Sequence, residues 1–138
     1  MKTIVLLVDS TFTQSLASEI ARWISDVSAE GWTVIRHDVP RTDTPPQVKA
    51  RILADYASDS QNVKAVFIIG HVAVPYSGNI APDGHTPQHQ GAYPCDGYYG
   101  SISMSGNWTD STVNVTVAEK QANWNTPGDG KFDLSVLP

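Results

Sequence analysis

The chain has 138 residues, 41% of them hydrophobic and 17% charged, which is the balance of a folded globular protein and excludes a disordered one. Its net charge of −5 offers no basic face, so nucleic acid and anionic membrane surfaces are not expected partners. A single cysteine, Cys95, excludes an intrachain disulfide.

Residues 3–8 are a continuous apolar run that predicts a strand covered on both faces. The run is short, ends at Asp9 and has no small-residue cleavage site behind it, so it does not read as a secretion signal. No stretch reaches the roughly 20 apolar residues that span a bilayer. A chain complete as given would be cytoplasmic.

After a turn at 9–13, Leu16, Ile20, Trp23 and Val27 form one apolar stripe at helical spacing. Gly31 is the expected helix stop, because it accepts the left-handed conformation. Residues 32–39 predict a second strand. Asp43-Thr44-Pro45-Pro46 is a helix start, with a capping oxygen followed by prolines whose missing N–H groups cost nothing in the first turn. Val48, Ile52 and Tyr56 mark that helix's buried face, and Lys49 and Arg51 flank it with stems long enough to carry their charges to water. Residues 58–62 break the pattern, and 63–69 predict a third strand.

Strand–helix–strand–helix–strand with short joints predicts an open, mainly parallel α/β sheet of β-α-β-α-β type with helices on its faces. The strand ends at Val8, Asp38 and Gly70 then share one edge, where such sheets bind ligands. From residue 71 onward Gly, Pro, Asn and Asp punctuate the chain and predict a loop-rich extension with short strands. Residues 98–104, 112–117 and 132–137 are the expected strands, the first two paired through a turn at 105–107, and 117–124 the expected helix. The whole reads as a single α/β domain, with 1–70 the core and 71–138 the extension. The apolar run that stops at Pro138 reads as a truncation.

Asp9, Ser10 and His71 follow the first and third strands directly, so a carboxylate, a hydroxyl and an imidazole are expected at the ligand-binding edge. The plainer reading, preferred for Asp9, is that Asp9 and Ser10 merely begin the first helix by accepting its free N–H groups. The segment 71–96 holds His71, Asp83, His85, His89, Cys95 and Asp96. Imidazole, thiolate and carboxylate suit zinc, and a metal reading takes His71, His85, His89 and Cys95 as ligands. His85 and His89 stand four apart, but Pro87 between them breaks a regular helix and removes most of the meaning of that spacing. The plain alternative is a polar surface loop.

Cys95 needs a histidine within hydrogen-bond reach to act as a nucleophile, and nothing in the sequence places one there; a lone cysteine is more commonly buried and inert. No catalytic residue and no cofactor is assigned. There is no GxGxxG after the first strand and no Walker sequence, so no glycine loop cradles a phosphate. Asn107-Trp108-Thr109 and Asn114-Val115-Thr116 are formal glycosylation acceptors without a secretion signal. Tyr98, Tyr99 and Trp108 could form a binding platform, although aromatic residues in a loop-rich region more often pin the loops to a core.

Val66-Phe67-Ile68-Ile69-Gly70-His71-Val72-Ala73-Val74-Pro75, followed by Pro94-Cys95-Asp96-Gly97-Tyr98-Tyr99-Gly100, resembles the first part of the gingipain-like cysteine peptidase domain. In that family an apolar strand ends in Gly-Asp followed by Pro, and a downstream Ser-Asp leads into a Tyr-containing strand. Here His71 replaces the usual Asp, and Cys95 stands where Ser is common. The resemblance covers residues 63–104 and implies the first of two subdomains of a caspase-like catalytic region. The family's catalytic His and Cys lie in the second subdomain, so none carries over, and Asp96 inherits a structural or cleft-edge role.

The leading expectation is therefore a non-catalytic N-terminal part of such a peptidase, partnered by the missing C-terminal catalytic subdomain or by self-association. The alternatives are a free-standing domain that binds a small molecule or peptide near Asp9, Ser10, His71 and Asp96, and a metal-dependent hydrolase.

Overall fold

In the computed structural model, which describes residues 1–102 and 108–136, the expected alternation is present. Strand β1 (Lys2–Asp9) runs into a 3-10 turn (Ser10–Phe12), then helix α1 (Ala17–Ala29), β2 (Trp32–Val39), α2 (Pro45–Ser58) and β3 (Val63–Ile69). The strands form a parallel sheet in the order β2-β1-β3. Parallel pairing requires each helix to return the chain to the same end of the sheet, which is what α1 and α2 do.

The register sets two faces. Leu6 and Val8 of β1 form a core with Ile20 of α1, against which Leu16, Trp23, Ile24, Val34 and Ile69 pack. Trp23 of α1 also stacks on Phe67 of β3, with ring centroids 4.7 Å apart. Leu7 lies opposite His37 on the other face, and His37 Nε2 reaches Asp55 of α2 at 2.7 Å. The two helices thus cover opposite faces, and Val5 to Val8 are fully buried between them. Burial at this depth stabilises by about 1.5–3 kcal/mol per side chain.

The local signals explain the boundaries. Gln47 Oε1 accepts the Thr44 N–H at 2.8 Å, half of a capping box that starts α2 at Pro45. Gly31 takes φ +86° in the turn between α1 and β2, with open space where a side chain would project. Lys49 departs from expectation: it is 1% exposed, so its stem does not carry its charge to water. Burial pushes its ammonium down to about 8.

The chain divides into two compact units, Met1–Ala73 and Val74–Pro138. The second unit has a one-turn helix α3 (Gly97–Gly100) and a 3-10 turn (Gln121–Asn123). Among its described residues strand pairing is limited to isolated bridges, Tyr76 with Pro94, Ile80 with Gly91 and Val115 with Asn125. The three expected strands and the expected helix are therefore corrected. Tyr98 and Tyr99 are both buried, which neighbouring residues of a strand cannot achieve on one face and a helical turn can. Residues 103–107, the end of that expected strand and its turn, lie outside the described residues, as does Leu137.

In 112–117 only Val115 pairs, because the Val113 N–H is taken by the Asp133 carboxylate. The 117–124 segment gives its Glu119 N–H to the distant Gln88 carbonyl instead of continuing a helix. Phe132 and Asp133 donate to Tyr76 and Thr109, a pattern no ladder shares. The unit's core is aromatic. Phe132 stacks on Tyr98 at 4.4 Å, and Trp108 meets both rings edge-on at 5.4 and 5.1 Å. These aromatic residues pin loops. Among the described residues no helix is long and apolar enough to cross a membrane.

Candidate functional site

Two places gather chemistry, one in each unit. In the first, the strand C-termini meet around Asp9. Its side chain is wholly buried, and both oxygens are occupied. Oδ1 accepts the Thr11 N–H at 3.0 Å and the Thr11 hydroxyl at 2.8 Å. Oδ2 accepts Arg41 Nε at 2.8 Å and the His71 N–H at 3.0 Å. Burial alone would raise the carboxyl's pKa, but these four donors outweigh it and hold Asp9 well below the usual carboxylate range. The approach is close: a Cβ on Gly70 would stand 2.7 Å from both the Asp9 Cβ and the Phe12 ring.

Asp9 is therefore a buried anion that ties the ends of all three strands together, with both carboxylate oxygens engaged inside the protein. Ser10 is partly buried in the 3-10 turn, and its carbonyl accepts the Thr13 hydroxyl at 3.0 Å. His71 enters the knot through its backbone, and the residue is exposed. Arg41 and Thr11 complete the arrangement and were not singled out in the sequence. The signal for Arg41 was its place two residues after β2, at the edge where β1 and β3 also end. Asp96 belongs to the second unit, where it is exposed at the start of α3 and its carbonyl accepts the Tyr99 N–H.

The second place is the turn of residues 83–89. Asp83 Oδ1 accepts the His85 N–H at 3.0 Å, which fixes the carboxylate against its own loop. The other oxygen, Oδ2, lies 3.1 Å from His85 Nδ1 and 2.6 Å from His89 Nδ1. One ligand atom from each of the three side chains lies within 4.8 Å of the others. His89 Nε2 faces Glu119 Oε2 at 3.6 Å. The hydrogen bond that His89 donates to Asp83 holds the imidazole above its ordinary pKa, and the same contact, with the His85 N–H, holds Asp83 below the usual carboxylate range. Beside His89 a cavity of about 210 Å³ is lined by Gln88, Tyr93, Glu119, Lys120 and Asn123.

Of the metal set expected from sequence, His85 and His89 come together, and Asp83 from the same segment is the third member. His71 and Cys95 are not in the cluster. His71 lies in the first unit, at the strand edge. Cys95 is buried in the second, its backbone N–H bonded to the Pro75 carbonyl. Glu119 was not foreseen, because thirty residues separate it from His89 and no spacing rule connects them. No protein-family model, no curated protein and no solved structure matches the chain.

Proposed function

We propose that this chain is the non-catalytic N-terminal part of a gingipain-like cysteine peptidase, a support for a catalytic subdomain. The observation that carries the reading is the part played by the residues of the resemblance. Gly70 closes β3 against Asp9 at φ +82°, where no side chain fits, and Tyr98 and Tyr99 are core residues of the second unit. The parallel sheet agrees with the α/β core of such a subdomain. The saturated Asp9 and the buried Cys95 agree with chemistry supplied from elsewhere.

The test is capture of the native protein from its source with an antibody against the first unit, followed by intact-mass measurement and peptide mapping. A species much heavier than 14.9 kDa that carries a further Cys/His subdomain is expected. A free-standing 14.9 kDa polypeptide overturns the proposal. So does thiol-dependent proteolysis by the isolated chain, abolished by Cys95→Ser.

A second reading, a free-standing domain that binds a small molecule or peptide at the strand edge, is favoured by the position of Arg41. Its side chain is 48% exposed while anchored on Asp9, and His71 beside it is exposed, so an anionic ligand would meet two nitrogen-bearing groups. Chemical-shift changes confined to Arg41, His71 and Ser10 on addition of an anionic peptide would favour this reading over the first.

A further inference from the structure

We infer that Asp83, His85 and His89 form a binding site for a divalent transition-metal cation of the zinc type, with Glu119 as an outer carboxylate. The inference is independent of the peptidase reading, since it rests on the second unit alone.

Both imidazoles turn the same ring nitrogen, Nδ1, to the same carboxylate oxygen, at 3.1 and 2.6 Å. A hydrogen bond needs only one of them. As neutral Nδ1–H tautomers both rings can donate to that oxygen; with the proton on Nε2 instead, both turn a lone pair toward the same point, and the rings stand 5.3 Å apart between centroids. A single divalent ion takes up the second arrangement, with both rings bound as neutral ligands and the carboxylate facing one cation.

The dimensions fit. Bonds of about 2.1 Å in a tetrahedral shell place ligand atoms about 3.4 Å apart. The separations of 3.1 and 2.6 Å from the carboxylate lie just inside that distance and the third, between the two imidazoles, is within 4.8 Å, so each has to change by about 1.4 Å or less.

The surroundings fit as well. A ligating imidazole usually gives its other N–H to a carboxylate or carbonyl, which fixes the ring and raises its basicity. With Nδ1 on the metal, Nε2 of His89 is the nitrogen that faces Glu119. The Asp83 carboxylate is oriented by the His85 N–H through its other oxygen, so it stays available at Oδ2. Two imidazoles and one carboxylate suit zinc, nickel and copper ions better than calcium or magnesium, which prefer all-oxygen shells. The three side chains are 46%, 74% and 43% exposed, and three ligands leave a position open to water. The site is therefore open and exchangeable, unlike a closed structural zinc site.

The test is titration of zinc chloride into the full chain, followed by calorimetry and by the NMR signals of its four histidines. One equivalent is expected to bind, shifting the imidazole signals of His85 and His89 and leaving His37 and His71 in place. Asp83→Asn and His89→Gln are expected to weaken binding at least tenfold, Glu119→Gln by a smaller factor, and His71→Ala not at all. Far-UV circular dichroism separates lost ligation from lost folding, and the wild-type NMR shifts need no variant. Millimolar, non-stoichiometric binding overturns the inference, as do shifts that fall on His37 or His71, or affinity unchanged in the folded Asp83→Asn and His89→Gln variants.

Discussion

The Asp9 carboxylate accepts the backbone N–H of His71 at 3.0 Å, across 62 residues of chain, and so joins the end of the first strand to the end of the third. Arg41, just after the second strand, binds the same oxygen. One side chain thus closes the edge of the sheet that is usually left open for ligands.

Asp9→Asn is expected to lower the melting temperature at pH 7 by on the order of 10 °C, because the amide nitrogen cannot accept from the donors that one of the two buried carboxylate oxygens serves. The folded-state pKa is depressed, so the carboxylate's contribution is present above the ordinary value of about 3.9 and is lost as pH falls through the lower folded value. Thermal melts from pH 7 to pH 2 should show the gap between wild type and variant closing only in acid. A gap that is constant with pH would contradict the assignment.

Gly70→Ala and Gly31→Ala separate two costs. Both glycines have φ above +80°, but only at Gly70 does the added Cβ meet atoms, at 2.7 Å. Gly31→Ala should cost about 1 kcal/mol, the conformational term alone. Gly70→Ala should cost about 2 kcal/mol or more, read as the shift in urea midpoint.

Relative to the Lys49→Met variant, the wild type is expected to gain stability as pH rises from 7 to 10, since burial disfavours the ammonium in the folded state. The folded pKa of Lys49, about 8, lies below the unfolded value of about 10.4, so the penalty is complete below pH 8 and fades as pH rises through that window. Urea melts at pH 7 and pH 10 check this: the midpoint of the wild type relative to that of the Lys49→Met variant should be higher at pH 10 than at pH 7.

Asp133 accepts the Ser111 and Val113 N–H groups at 3.0 and 2.9 Å and the Thr109 hydroxyl at 2.8 Å. Asp133→Ala should accelerate exchange of the Ser111 and Val113 amides by about tenfold or more. The Thr11 amide, which Asp9 holds in the first unit, serves as the internal control and should change little.

These predictions also show which parts of the molecule were legible in the sequence. The first unit is governed by local rules. The stripe from Leu16 to Val27, the Thr44-Pro45-Pro46 start and the unbroken apolar strands each report their structure within a few residues, and parallel pairing then places Asp9 and His71 at one edge. Lys49 escaped because a charged residue beside an apolar stripe usually faces outward, and its burial is set by tertiary packing that no local pattern reports. In the second unit the donors of 109–113 go to Asp133, those of 128 and 130 to Asp110, and the buried Asn125 side chain donates to the Ser77 and Phe132 carbonyls. Side chains that reach across the chain in this way have no period to detect. The cluster at 83–89 was half legible. The four-residue spacing of His85 and His89 lost its helical meaning at Pro87, yet the turn that replaces the helix brings the two rings together on Asp83.

The turn at Gly31 carries a practical consequence. It joins α1 to the start of β2, at the end of the sheet opposite Asp9, and the space beyond its Cα is open. A fluorescent reporter or affinity handle spliced there would extend into solvent without disturbing the strand ends that Asp9 unites, and it would alter no residue of the 83–89 turn. The position thus offers a way to immobilise the protein or follow its assembly while the residues of both candidate sites stay intact.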